Sequence, residues 1–150
     1  MKTGAVHRPA IVGDVRRLYD VRRRSILELA PSGMPIEETT AWASRLTLAG
    51  MERKLRDLEI WVAELDGTVA GWGAIRVDYL EGLYVAPEFA GRGVGEELLG
   101  MLEGLMRQRG VPKVRAEASA NAVNFYLRRG YCVTGSQTPG GAWPIEKQLR

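Results

Sequence analysis

Between Ile60 and Leu105 the chain changes its hydrophobic period from two to 3.6, and this switch limits the folds it can adopt. Ile60 to Leu65 reads as a strand. Asp66-Gly67 follows as a tight hairpin turn, because both residues tolerate positive φ. Val69 to Val77 reads as the returning strand and Tyr79 to Val85 as a third, closed by Pro87, which cannot donate to a sheet ladder. Three successive strands predict an antiparallel meander. Val94, Leu98, Met101, Leu102 and Leu105 then share one face of a helix.

The remaining segments fit around this unit. Ala5 to Ala10 is strand-like, and Asp14 is placed to cap a helix carrying Val15, Leu18, Tyr19, Ile26 and Leu29. Pro31-Ser32-Gly33 breaks that helix, and Pro35 opens a second with Trp42, Leu46 and Leu48. After Gly110-Val111-Pro112, Val114 to Ala118 reads as a buried strand. Ser119 is expected to cap a short helix through Ala122, Phe125, Tyr126 and Leu127, with Gly130 as its left-handed terminator. Tyr131 to Val133 and Trp143 to Leu149 complete a mixed α/β sheet with helices on both faces. No internal repeat or low-complexity tract interrupts residues 1–150, so one continuous domain is expected.

Composition narrows the chemistry. Cys132 is the sole cysteine, which excludes an internal disulfide framework and thiolate zinc sites and suits a reducing cytoplasm. His7 is the sole histidine, so a serine–histidine hydrolase or a histidine-rich metal centre has almost nothing to be built from. A net charge of +3 is too mild to signal nucleic-acid binding. The run Arg22-Arg23-Arg24 reads as a solvated helix face. The sequence holds neither an apolar run of membrane-spanning length nor a signal-peptide pattern, so no membrane association is expected.

The segment Gly91-Arg92-Gly93-Val94-Gly95 stands where a strand gives way to a helix. Glycines there let backbone approach a ligand, and the first amides of the helix lack intrahelical partners at the positive end of its dipole. This is an anion site suited to a pyrophosphate, with Arg92 adding charge beside it. Plain turn glycines would read the same way. A dinucleotide fingerprint fails because Glu96 or Leu98 occupies the third glycine position, and the Gly-Lys-Ser/Thr of a P-loop is absent.

Leu83-Tyr84-Val85-Ala86-Pro87-Glu88-Phe89-Ala90-Gly91-Arg92-Gly93-Val94-Gly95 resembles the acetyl-CoA signature of the GCN5-related N-acetyltransferase (GNAT) superfamily, whose core is Gln/Arg-x-x-Gly-x-Gly/Ala. The stretch Ala118 to Tyr131, with Asn121 and Tyr126, is similar to the family's second signature. Softer likeness in Arg24-Ser25-Ile26 and Ala41-Trp42-Ala43 points to a branch of uncharacterised bacterial members. The resemblance implies a mixed, mostly antiparallel sheet of six to seven strands and acetyl-CoA as cosubstrate, with no metal. It implies that Leu83, Tyr84 and Val85 offer backbone groups to the pantetheine arm, and that amides of Gly91, Arg92, Gly93, Val94, Gly95 and Glu96 surround the pyrophosphate. It implies that Asn121 bonds the cofactor and that Tyr126 protonates the departing thiolate. Ala90 departs from the pattern, removing a side-chain contact common in the family.

The acceptor is expected to be a primary amine on a small molecule or peptide, and a base is needed to free its lone pair. Asp78 and Glu81 flank the strand expected to line the acceptor cleft. Glu81, an acidic residue just before Leu-Tyr-Val as in similar proteins, reads as that base, as a binder of a cationic acceptor, or equally as a salt-bridged surface carboxylate. Strict alternation would put Tyr79, Glu81, Leu83 and Val85 on one face of the strand, and Leu80, Gly82 and Tyr84 on the other. Trp42 floors the acceptor pocket or packs its helix, Trp61 and Trp72 read as core, and Cys132 reads as a buried thiol. A CoA-binding regulatory module without catalysis is the rival function. Dimers are common in similar proteins, so a homodimer is a further expectation.

Overall fold

The period switch is realised as a seven-stranded sheet with helices packed on both of its faces. The structure is a computed structural model and describes residues 2–150. The strands are β1 (Val6–Pro9), β2 (Glu59–Leu65), β3 (Thr68–Arg76), β4 (Tyr79–Val85), β5 (Lys113–Ala118), β6 (Cys132–Val133) and β7 (Trp143–Gln148). They lie in the order β1-β2-β3-β4-β5-β7-β6. Every neighbouring pair is antiparallel except β4 with β5. The helices are α1 (Val15–Leu29), α2 (Ile36–Ser44), α3 (Leu48–Asp57), α4 (Val94–Gln108) and α5 (Val123–Leu127). None of the described helices is long and apolar enough to cross a membrane.

Side-chain alternation on β3 shows how the two faces are filled. Trp72 and Ala74 pack with Leu18 and Val21 of α1 and Met51 of α3. The Trp72 indole N–H donates to the Leu18 carbonyl at 2.9 Å, which satisfies the one polar atom of a fully buried ring. Ile75 faces the other way, toward Leu98, Leu102 and Met106 of α4. The Asp66-Gly67 hairpin forms as expected, with φ of +51° and +77°.

Four local readings are corrected. Asp14 does not cap α1; its carboxylate takes the Ile11 N–H at 2.8 Å and both ends of the Arg8 guanidinium at 2.8 and 3.0 Å, tying the turn before the helix to β1. The guanidinium holds this carboxyl below its usual range. The helix begun at Pro35 stops at Ser44, because the Thr47 hydroxyl accepts the Gly50 N–H at 3.0 Å and starts a separate helix, α3. Ser119 leaves α5 uncapped, for its hydroxyl donates instead to Asn121 Oδ1 at 2.6 Å. Cys132 is exposed on β6, at the edge of the sheet.

Candidate active site

The phosphate-type loop is set by backbone conformation. Ala90 is extended, while Gly91 and Gly93 adopt φ of +76° and +85° in the left-handed region that side chains disfavour. Gly93 precedes α4 directly, and the Glu97 N–H donates to its carbonyl at 3.1 Å. The amides of Val94, Gly95 and Glu96 therefore precede the first intrahelical bond. Gly95 serves packing instead: a β-carbon there would come within 3.3 Å of Val85 and 3.7 Å of Phe125. These residues border a cavity of about 390 Å³, with Ala90, Phe125 and Arg129. Arg92 is absent from its wall, since its guanidinium lies 5.4 Å over the Phe89 ring. The cation that faces the loop is Arg129, a residue the sequence reading missed.

A second feature comes from the strand itself. β4 and β5 share register only at Tyr79↔Arg115 and Leu80↔Ala116. β4 then follows β3, pairing Gly82 with Ala74, Leu83 with Gly73 and Tyr84 with Trp72, while β5 runs alongside β7. Ile75 pairs with Leu80 and Ala74 with Gly82, so Glu81 is an extra, bulged residue. The bulge overturns strict alternation. Leu80 and Leu83, three apart, both join the α4-side core, whereas Tyr84 packs its ring 5.0 Å from Trp72 on the α1 side. It also starts the divergence of the two strands. Beyond Leu80 the outer edge of β4 faces a gap lined by Leu83, Tyr84, Ala118, Ser119 and Tyr126.

Tyr126 stands in this gap, only 8% exposed. Its ring is edge-on to Phe125 and Tyr131, at 5.1 and 5.3 Å between centroids. Among the described residues its hydroxyl has no hydrogen-bond partner, and burial raises its pKa well above the ordinary phenol value. Asn121 is not among the residues lining the gap; its Oδ1 accepts from Ser119, which is, and the α1–α2 connection is pressed against its backbone at Gly33.

On the other side the gap opens into a cavity of about 350 Å³, walled by Trp42, Tyr79, Tyr84, three carboxylates, Glu38, Glu81 and Glu117, and one guanidinium, Arg45. Glu81 accepts a hydrogen bond from Arg76 at 2.7 Å and keeps partial exposure. Glu117 could have been found from the alternation of Val114, Ala116 and Ala118, which turns residue 117 out of the core. Glu38 lies on an exposed helix turn with no such signal.

Arg22 corrects the solvated-face reading of the arginine run. It is 7% exposed, donates to the Trp42 and Ala43 carbonyls at 3.2 and 3.4 Å, and lies 5.8 Å from the centre of the Tyr84 ring. The C-terminal carbonyls of α2 and an aromatic face thus receive a buried charge. This contact joins Trp42 and Tyr84, two walls of the acidic cavity. Sequence positions 22 to 24 alone gave no means of telling Arg22 from its exposed neighbour Arg23.

The chain is similar in sequence and fold to known proteins. The sequence pattern of the acetyltransferase (GNAT) family matches residues 17–131. The uncharacterized N-acetyltransferase YafP of Escherichia coli is 26% identical over 133 residues, spanning 87% of this chain and 85% of its own. A crystal structure of a GCN5-related N-acetyltransferase from Rhodopseudomonas palustris superposes with a TM-score of 0.88 at 28% identity, covering 96% of this chain and 95% of that one. PaiA N-acetyltransferase from Thermoplasma acidophilum, solved in complex with coenzyme A, has a TM-score of 0.80 at 22% identity over 97% and 99% of the two chains.

Proposed function

This chain belongs to the acetyltransferase (GNAT) family, and we propose that it moves an acetyl group from acetyl-CoA to a primary amine of a small molecule or peptide, directly, in a ternary complex. The observation that carries the reading is the gap between β4 and β5. It has the glycine loop at one end, Tyr126 within it and an acidic, aromatic cavity at the other.

The pantetheine arm would lie along the unpaired edge of Leu83 to Val85, as an added strand does, with the pyrophosphate over the amides at the start of α4. Backbone N–H groups on this edge would polarise the thioester carbonyl. The amine nitrogen attacks the carbonyl carbon, the C–S bond breaks, and the sulfur leaves with the electron pair. Tyr126 donates its proton to that sulfur; its raised pKa keeps the phenol protonated, and the thiolate is relieved at the moment it forms. The ammonium gives one proton through Glu81 toward solvent before attack, and the second, shed by the nitrogen as the amide forms, returns to the Tyr126 phenolate. Glu117 and Glu38 favour a cationic acceptor at the cavity mouth. One proton is released in net terms as N-acetyl product and free CoA thiol form.

The test has two stages. Acetyl-CoA should raise Tm, and a panel of amines should release CoA thiol. Absence of a thermal shift removes the cofactor assignment. Binding without thiol release from any amine favours a CoA-binding regulatory module instead.

A further inference from the structure

Ala90 leaves the phosphate loop with backbone donors alone, yet the wall of the same cavity carries a guanidinium. We infer that Arg129 is a cofactor-affinity residue. It supplies to the pyrophosphate the side-chain charge that Ala90 cannot, and Glu96 competes with the pyrophosphate for it. This inference rests on the acetyl-CoA reading above.

Arg129 is held for such a role from three sides. Its guanidinium carbon lies 3.9 Å over the Phe125 ring, and Nη1 donates to the Phe125 carbonyl at 2.8 Å. Nη2 donates to the Glu96 carboxylate at 2.9 Å, while Nε is buried with no partner. Phe125 is also the ring that Gly95 approaches, so the guanidinium stacks above the first turn of α4. A planar fork fixed in this way loses little freedom on gripping a phosphate. Its ion pair with Glu96 is the exchangeable contact, because that carboxylate is 65% exposed and such pairs are weak in water. A pyrophosphate bears more charge and accepts a bidentate donor. Ala90 and Arg129 line the same cavity, which places the missing group and its substitute around one ligand.

A purely structural role, tying α5 to α4, predicts different behaviour, and calorimetric titration with acetyl-CoA and with dephospho-CoA separates the two. Arg129→Ala should weaken both ligands by roughly tenfold or more, the scale of one charge-assisted contact. The equal loss assigns the contact to the pyrophosphate and not to the 3′-phosphate. Glu96→Gln should tighten both ligands severalfold, because it removes the competing anion. Ala90→Gln should change little in the parent chain and restore part of the affinity in the Arg129→Ala background. Tm of each variant without ligand is measured alongside. The inference is overturned if Arg129→Ala binds both ligands as the parent does, or if Glu96→Gln weakens them. It is also overturned if Arg129→Ala loses affinity for acetyl-CoA alone. A parent chain that binds neither ligand overturns the acetyl-CoA reading itself, and this inference with it.

Discussion

Tyr126→Phe removes one oxygen atom and should separate catalysis from stability more sharply than any other single change. The phenol is buried, packs edge-on against two aromatic rings, and has no hydrogen-bond partner among the described residues for its hydroxyl. Deleting that hydroxyl strands no neighbour, so unfolding free energy should move by less than about 1 kcal/mol. Turnover should fall by about a hundred- to ten-thousandfold, the usual contribution of a positioned acid. Acetyl-CoA affinity should stay within about threefold, since the ring and its packing are kept. Tyr131→Phe is the matched control. Its hydroxyl donates at 2.7 Å to Glu103, a buried carboxylate whose other oxygen takes Lys147 at 2.9 Å. Losing that donor should cost about 1–3 kcal/mol and lower Tm by several degrees with little effect on turnover. Thiol release gives the rate, calorimetry the affinity and thermal denaturation the stability. The acid role is refuted if Tyr126→Phe keeps a third of the turnover, or if rate and affinity fall by the same factor. The pH profile adds a check. Burial raises the folded-state phenol pKa, so Tyr126 keeps its proton above the ordinary phenol value and no alkaline loss of turnover from it should appear below about pH 10.

Three further outcomes follow from the geometry. A β-carbon at Gly33 would stand 2.8 Å from Asn121 Cα, so Gly33→Ala should cost about 1–3 kcal/mol and weaken acetyl-CoA binding; full retention of both would detach this connection from the site. Val77 is a β-branched residue at φ +55° in an exposed turn, so Val77→Gly should raise Tm by a few degrees, and a lower Tm would contradict the strain. Asp14, its carboxyl held low by Arg8, contributes stability that is present above the ordinary carboxyl pKa and lost as pH falls through the lowered one. Asp14→Asn should therefore flatten the acid limb of the stability curve, and an unchanged limb would refute this linkage.

Much of the layout was legible in the sequence because it depends on near neighbours. The Asp66-Gly67 turn, the apolar stripe of α4 and the left-handed glycines act within a few residues of chain. What escaped depends on partners far along it. Strict alternation failed at Glu81 because an insertion in strand register appears only when β3 and β4 are paired. Arg22 reads as surface in a run of three arginines, and only the arrival of α2 and Tyr84 makes room for it inside. Arg129 was passed over for Arg92, which lies inside the motif; a five-residue helix is too short for its pattern to show which arginine after it turns toward α4.

The two register pairs joining β4 to β5 have a mechanical consequence. They form a narrow isthmus between a four-stranded block and a three-stranded one, so the ladder transmits little load across the middle of the sheet. A cofactor arm lying in the gap would bridge the blocks as a tie-rod, and at a hundredfold excess over its Kd would add about 2.7 kcal/mol to the stability of the whole. Amide exchange along Gly82 to Val85 and in the facing part of β5 should then slow together on binding, including at amides the ligand never touches. The resilience of this protein would track the supply of a metabolite, with the polypeptide providing seven strands and the substrate serving as the brace between them.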